Sequence, residues 1–205
     1  IQATPWRINK NILAVMDYCV KEGFEVGDLP VRSKDIILPE KLPDELWDKM
    51  SKDERTEVIQ NRKELHREAT SNTSKILALR IKLSMARRFK KYEKIYFPHT
   101  LDFRGRIYPI ASAVNPQSDK FGQALLEFAE GKTIGETGYK WLAIHGANCY
   151  GLDSVNFDER LQWIETNAQN ISATANNPLG ESEFWGEAED PFGFLAFCFE
   201  WKEIL

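Results

Sequence analysis

Apolar residues recur three or four positions apart from residue 6 to about residue 21, which is the spacing of one buried helix face. Thr4 before Pro5 is typical of a cap and first turn, and Gly23 is typical of a helix end. The apolar positions are Ile8, Ile12, Val15, Met16 and Cys19. Residues 27–43 hold three prolines among charged residues, so they predict an exposed connection after this helix.

Residues 44–97 contain neither glycine nor proline and are rich in Lys, Arg, Glu, Leu and Ala. This composition predicts one long helix or two helices end to end, with the Asn-Thr-Ser sequence at 72–74 as the weak point. A continuous helix from Ser51 to Tyr92 would span about 60 Å. Its expected packing stripe is Ile76, Leu79, Leu83, Ala86 and Phe89.

Arg80, Arg87 and Lys91 fall on a face beside that stripe. Spacing alone leaves two interpretations open. The first is a helix packed on one side and solvated on the other. The second is a helix laid along a phosphate backbone, where Lys and Arg supply affinity without sequence preference.

The hydrophobic period changes to two from residue 95 to about residue 110, which predicts one or two short strands. Residues 127–134 are a candidate for another strand. Helical spacing returns at 138–148, at 157 to about 175 and from 191 onward, with a turn at 176–180. The expected fold class is therefore mainly α with a small antiparallel β element (α+β).

Charge is distributed unevenly, although the formal net charge is only -4. Residues 62–94 hold 11 Lys or Arg against 3 acidic residues, whereas residues 111–205 hold 5 against 15. A basic arm joined to an acidic body suits a protein that contacts a polyanion with one surface. No apolar run is long enough for a membrane span, and the spacing of Cys19, Cys149 and Cys198 predicts neither a disulfide framework nor a zinc site.

Residues 101–109 read Leu-Asp-Phe-Arg-Gly-Arg-Ile-Tyr-Pro. In an extended strand, alternation would place Asp102, Arg104, Arg106 and Tyr108 on one face. Two arginines two residues apart can bind successive phosphates, and Asp102 could hold one guanidinium in position. The glycine between the arginines leaves room for a nucleic-acid backbone, and Phe103 and Tyr108 can stack on bases or sugars.

The segment Phe-Pro-His at 97–99 followed by residues 101–109 resembles the DxxGR segment of the single-subunit RNA polymerases of phages and organelles. Further strings resemble that family in the family's order, and their wording is closer to the phage branch. They are Thr-Pro-Trp-Arg-Ile-Asn at 4–9, Asn-Pro-Gln at 115–117, Leu-Leu-Glu-Phe-Ala-Glu-Gly-Lys at 125–132, Trp-Leu-Ala-Ile-His-Gly-Ala-Asn at 141–148 and Asp-Pro-Phe at 190–192 with the apolar run to 199.

The resemblance implies a part of a right-hand-shaped enzyme that copies DNA into RNA with two magnesium ions. Residues 1–43 would be the end of an N-terminal region and a linker, and 44–94 a long thumb helix. That helix would join the first part of the palm at 95–131, which carries the DxxGR motif, and a helical palm insertion at 132–205. The expected partners are the DNA template and the RNA transcript, with nucleoside triphosphates in the complete enzyme.

The resemblance also implies roles for single residues. Arg104 and Arg106 would contact the template and the RNA–DNA hybrid, with Asp102 orienting them. Phe103 and Tyr108 would lie beside the template base or the growing pair. The thumb contributes Arg80, Arg87 and Lys91, and Trp6, Arg7 and Asn9 resemble a segment near the template path. A helix start buried against the thumb base is an equally good interpretation of this last group.

Carboxylates that hold two metal ions for nucleotidyl transfer are not identified in this sequence. In the family, the first such aspartate follows in an Asp-Gly-Ser type motif downstream of the segment matched here, so the Mg²⁺ ligands are expected outside this chain. The chain starts at Ile1 and stops at Leu205, just after an apolar run that predicts an unfinished helix, so we expect a fragment that is inactive alone and that a second polymerase chain would complete.

Two other functions fit the residues. One is a non-catalytic nucleic-acid-binding module that grips a backbone with its basic helix and Arg-x-Arg strand. The other is a purely structural piece with an acidic helical body. The expected location is the cytoplasm of an infected bacterial host, with the mitochondrial matrix or plastid as the alternative.

Overall fold

The computed structural model describes residues 1–31 and 42–204, and these are mainly helical with two small antiparallel sheets. The predicted fold class is confirmed. In chain order the elements are β1 (Trp6–Ile8), α1 (Lys10–Glu22), α2 (Asp44–Lys49), α3 (Lys52–Phe89), β2 (His99–Leu101), β3 (Ile107–Pro109), α4 (Lys120–Ala124), β4 (Leu126–Phe128), α5 (Glu136–Tyr150), α6 (Phe157–Thr166), α7 (Ala168–Asn176), α8 (Ser182–Gly186) and α9 (Pro191–Ile204).

The core is built around α9, which is apolar on nearly all sides. Helices α4, α5, α7 and α8 pack against it. Its buried residues are Phe192, Phe194, Leu195, Phe197, Cys198 and Trp201. A helix that is hydrophobic all round belongs at the centre of a domain, so the apolar run near the end of the sequence forms the core of the acidic body.

The first helix begins later than predicted. Residues Trp6–Ile8 form β1, which pairs antiparallel with β4, and Trp6 also bridges to Ile95. Helix α1 begins at Lys10 because the Asn9 side chain caps it by accepting a hydrogen bond from the amide of Ile12 at 3.1 Å. The cap expected from Thr4 and Pro5 was therefore wrong, whereas the end at Gly23 is confirmed.

The long helix is confirmed, but its break lies elsewhere. Helix α3 runs without interruption through the Asn-Thr-Ser sequence at 72–74, so the predicted weak point was wrong. The break falls at Met50 and Ser51, where Ser51 and Glu54 form a reciprocal capping box. Such a box satisfies two otherwise unpaired amides at a helix start. The residues of α3 that are buried are Ile76, Leu79, Leu83 and Ala86, so the predicted stripe is confirmed except for exposed Phe89.

The remaining elements follow the sequence with shifts. Helix α5 is longer than expected, and the helix predicted from 157 to 175 divides at Asn167 into α6 and α7. The strand predicted within 127–134 is β4, which begins at Leu126 and ends at Phe128. Leu29 and Val31 are buried, so the start of the predicted exposed connection packs on the core; residues 32–41 of that connection lie outside the described residues.

Candidate nucleic-acid interface

The DxxGR motif forms the tip of a β-hairpin. Strands β2 and β3 pair antiparallel, with Leu101 opposite Ile107, and we call residues 99–109 the arginine hairpin. The amide of Asp102 donates to the carbonyl of Arg106 at 2.9 Å, and the amide of Gly105 donates to the carbonyl of Asp102 at 3.0 Å. The three residues between, 103–105, make a tight connection. The prediction of one or two short strands between residues 95 and 110 is therefore confirmed, but the turn at 103–105 means that the alternation of a single strand does not extend across 101–109.

Gly105 is required by its backbone conformation. Its φ of +76° lies in the left-handed region, which costs other residues roughly 1–2 kcal/mol. A Cβ added at this position would meet nothing within 4 Å. The tip is therefore open to solvent on the glycine side, and a ligand backbone can approach it closely.

Asp102 organises the backbone of the tip. Its Oδ1 accepts hydrogen bonds from the amides of Arg104 and Arg106, both at 2.8 Å. No ion pair joins this carboxylate to the guanidinium of Arg104 or Arg106 in the structure, so its recorded contacts to the two arginines are to their backbone amides. Asp102 thus fixes the direction in which both arginine side chains leave the backbone.

The arginine side chains of the tip are exposed and carry no ion pair or hydrogen bond among the described residues. The Arg104 guanidinium lies 5.2 Å from the centroid of the Phe103 ring. Phe103 itself is 92% exposed and Tyr108 is 42% exposed. The hairpin therefore presents two guanidinium groups without an ion-pair partner and two accessible aromatic rings, the combination that binds phosphates and stacks on bases.

The three basic residues predicted for the long helix have different environments. The guanidinium of Arg87 donates two hydrogen bonds to the carboxylate of Asp17 on α1, from Nε to Oδ1 at 3.1 Å and from Nη2 to Oδ1 at 2.8 Å. Lys91 lies beyond the last residue of α3, with its ammonium 5.1 Å from the Tyr92 ring centroid. Arg80 is exposed on α3 and has no ion pair within the described part of the chain. Arg80 is thus the member of the three whose charge is least compensated.

The segments on either side of the arginine hairpin, residues 95–98 and 111–114, line a mostly apolar cavity of about 300 Å³ together with the end of α3. Met85 and Phe89 contribute from α3, and Phe97 and Pro98 contribute from the segment that leads into β2. The chain that enters and leaves the hairpin therefore lies beside the basic end of the helix.

Trp6, Arg7 and Asn9 belong to a different surface, the β1–β4 sheet. The Nε of Arg7 pairs with the carboxylate of Glu127 at 2.5 Å. The Trp6 ring stacks on Phe128 at a centroid distance of 4.4 Å. Asn9 is buried and caps α1. Their geometry is accounted for by packing, and their contact with a template stays a prediction.

Sequence reasoning missed two glutamines at the edges of the arginine hairpin. The side-chain oxygen of Gln2 accepts a hydrogen bond from the amide of His99 at 2.7 Å. The side-chain nitrogen of Gln117 donates to the carbonyl of Ile107 at 3.2 Å. The Asn-Pro-Gln string at 115–117 carries a family resemblance, but no pattern in it predicts an edge contact with β3.

The described residues offer no assembled metal site, since no group of three or more His, Cys, Asp or Glu side chains is placed to hold an ion.

Burial raises the pKa of the Cys149 thiol to about 12, so this side chain stays protonated near neutral pH. Among the described helices, none combines the length and apolarity that a membrane crossing requires.

Comparison with known proteins gives a consistent result. Residues 132–205 match the family model described as DNA-dependent RNA polymerase. The chain is 40% identical over 213 residues to T7 RNA polymerase of Escherichia phage T7, which aligns with 99% of this chain and 22% of the relative. It is also 40% identical over 205 residues to DNA-directed RNA polymerase 2, chloroplastic/mitochondrial, of Arabidopsis thaliana, which aligns with 99% of this chain and 20% of the relative.

The chain spans about a fifth of the length of these curated relatives. The same holds for DNA-directed RNA polymerase of Enterobacteria phage K11, which is 38% identical over 209 residues and of which 22% is covered. The relatives come from phages and from plant organelles, and one relative of each kind is 40% identical to this chain. The similarity extends over nearly the whole chain, including the arginine hairpin.

Proposed function

This chain belongs to the family of single-subunit, phage-type DNA-directed RNA polymerases, and on that premise we propose that it contributes the template and hybrid contacts of such an enzyme. The observation that carries the proposal is the pair of exposed guanidinium groups of Arg104 and Arg106, which have no ion-pair partner among the described residues and leave a turn whose backbone is fixed by Asp102. Because the turn is already ordered, its backbone loses little conformational freedom when the two guanidinium groups bind successive phosphates.

We assign residues 44–94 to the thumb, 95–131 to the first part of the palm, 132–205 to a palm insertion and 1–43 to the end of the region that precedes the thumb. The assignment is supported by the single long helix α3 and by the hairpin that follows it. The partners are the DNA template and the RNA transcript, with nucleoside triphosphates bound by the complete enzyme. For the location, we propose the cytoplasm of an infected bacterium, with an organelle as the alternative.

Nucleotidyl transfer in such an enzyme requires carboxylates that hold two metal ions. The described residues contain no group that fits this requirement, so no catalytic step is assigned to them. We assign the ligands of Mg²⁺ to polymerase sequence beyond this segment. What the described residues do is bind and orient: Arg104 and Arg106 hold phosphates, while Phe103 and Tyr108 offer rings to the neighbouring bases.

The proposal is tested by the salt dependence of binding to a short RNA–DNA hybrid with a single-stranded template overhang. Each phosphate contact lowers the slope of log K against log salt by about 0.7 to 0.9. The double change Arg104→Ala with Arg106→Ala should therefore make the slope shallower by about 1.4 to 1.8.

The matched control is Lys140→Ala with Lys202→Ala, which removes the same charge from exposed positions of α5 and α9. We expect this control to change the slope little. Equal changes in the two double variants would overturn the assignment of the interface to the hairpin. Absence of salt-dependent binding by the unaltered chain would overturn the proposal itself.

Dependence on a complementing chain is tested by run-off transcription with magnesium and all four nucleotides. We expect no transcript from this 205-residue chain alone and a transcript when the downstream part of a relative is added. A transcript made by this chain alone would contradict the assignment of the metal ligands to sequence beyond it.

A further inference from the structure

The arginine hairpin needs support from outside its own two strands. Strands β2 and β3 each have three residues and form a separate two-stranded sheet. An isolated hairpin of two strands is marginally stable in water at best. Several of its side chains are also exposed, among them Leu101, Ile107 and Tyr108, so little apolar burial holds it in place.

Each outer edge of the hairpin is met by one glutamine side chain. At the β2 edge, the amide of His99 donates to the side-chain oxygen of Gln2 at 2.7 Å. At the β3 edge, the carbonyl of Ile107 accepts from the side-chain nitrogen of Gln117 at 3.2 Å. These are the main-chain groups that an unpaired strand edge leaves open, so the glutamines act where an additional strand would pair.

Gln117 is itself held by a rigid turn. Asn115 is buried, and its side-chain oxygen accepts a hydrogen bond from the amide of Gln117 at 2.8 Å. The side-chain nitrogen of Asn115 donates to the carbonyl of Ala111 at 2.8 Å. The carbonyl of Asn115 also accepts from the Ser118 hydroxyl at 2.8 Å. The contact to β3 therefore starts from a fixed backbone.

We propose that Gln2 and Gln117 are positioning residues that clamp the two edges of the arginine hairpin and so set where Arg104 and Arg106 meet nucleic acid. The binding half of this inference rests on the proposed function, whereas the clamp itself does not. Neither glutamine needs to touch a ligand. A clamp acts by raising the fraction of molecules whose hairpin is in the binding-competent position, and the apparent affinity scales with that fraction.

The two contacts have opposite polarity, which makes one substitution diagnostic. The backbone dictates that Gln2 accepts and Gln117 donates. A glutamate has the length of glutamine, keeps the acceptor and loses the donor. Gln2→Glu should therefore keep its contact, whereas Gln117→Glu should lose it and set a carboxylate against a carbonyl. Both variants change the net charge equally, so electrostatic repulsion of nucleic acid is matched between them.

The first measurement is hydrogen exchange at the amides of Asp102 and Gly105, which are bonded within the hairpin. We expect Gln117→Glu to lower their protection about 3- to 10-fold, the change that follows from losing one hydrogen bond, and Gln2→Glu to leave it near that of the unaltered chain. Gln162→Glu on α6 is a further control for charge. Equal loss of protection in all three variants, or no loss of protection in the Gln117→Glu variant, would overturn the clamp.

The second measurement is affinity for the same RNA–DNA hybrid. We expect Gln117→Glu to bind more weakly than Gln2→Glu with an equal salt slope, because the number of phosphate contacts is unchanged. Lowered protection with equal affinities would overturn the positioning role. If the unaltered chain does not bind the hybrid but protection falls in the Gln117→Glu variant alone, the proposed function fails while the clamp stands.

Discussion

Replacing Asp102 separates a backbone-organising role from a charge-holding role. Its Oδ1 accepts from the amides of Arg104 and Arg106, each at 2.8 Å. Asp102→Ala removes both bonds, whereas Asp102→Asn keeps an acceptor oxygen in nearly the same place. Both changes remove the same negative charge, so the comparison between alanine and asparagine isolates the hydrogen bonds.

The magnitude follows from the two bonds. Because Asp102 is half-buried, each charge-assisted bond is worth about 1 kcal/mol, near the middle of the net range for hydrogen bonds. Alanine should then cost the hairpin about 2 kcal/mol. Asparagine should cost about 1 kcal/mol, since a neutral acceptor bonds roughly half as strongly.

The assay is hydrogen exchange at the amides of Gly105 and Arg106. A cost of about 2 kcal/mol lowers their protection about 30-fold, and about 1 kcal/mol lowers it about 5-fold. Hybrid affinity should fall less than protection does, because affinity follows the fraction of closed hairpin. Equal protection in Asp102→Ala and Asp102→Asn would refute the backbone role, and unchanged protection in Asp102→Ala would do the same.

Three other substitutions have defined outcomes. Gly146→Ala would place a Cβ about 2.5 Å from ring atoms of Phe197, so thermal melting should show a loss of about 1–3 kcal/mol from overpacking. Ser51→Ala removes the capping box with Glu54 and should cost about 1 kcal/mol, measured as faster exchange of amides in the first turn of α3 rather than at its packed end. Burial raises the pKa of the Asp190 carboxyl above its ordinary value, so the folded state disfavours the charged form of this side chain. Asp190→Asn should therefore raise the melting temperature at pH 8 but not at pH 3, where the carboxyl is protonated in both the folded and the unfolded state. An equal change of melting temperature at both pH values would contradict this cause.

Local signals in the sequence account for much of the fold. The absence of glycine and proline predicted α3, and the spacing of residues from 191 onward predicted the helix α9. Strand β1 was not predictable in this way, because the partners of Trp6 are Phe128 and Ile95, far along the chain. The residues that follow β1 have helical spacing, so the sequence pattern predicted a helix where the strand lies.

The geometry of the candidate site was predictable only in part. The change of hydrophobic period predicted one or two short strands at 95–110, but it did not reveal the turn between them, although Asp102 and Gly105 are residues typical of tight turns. The edge contacts of Gln2 and Gln117 depend on where the tertiary fold places these side chains. A hydrogen bond from a side chain to a distant backbone leaves no periodic signal, so sequence patterns could not indicate it.

The buried residues of helix α3, among those described, lie between Ile76 and Ala86 near one end of the helix. Ser51 at the other end is roughly 38 Å away along the helix axis. A rotation of only about 5° at the packed end would displace Ser51 by about 3 Å, as the helix length dictates. A slight shift of the side chains that pack near Leu83 would thus move Ser51 by about the length of a hydrogen bond, although the helix itself does not bend.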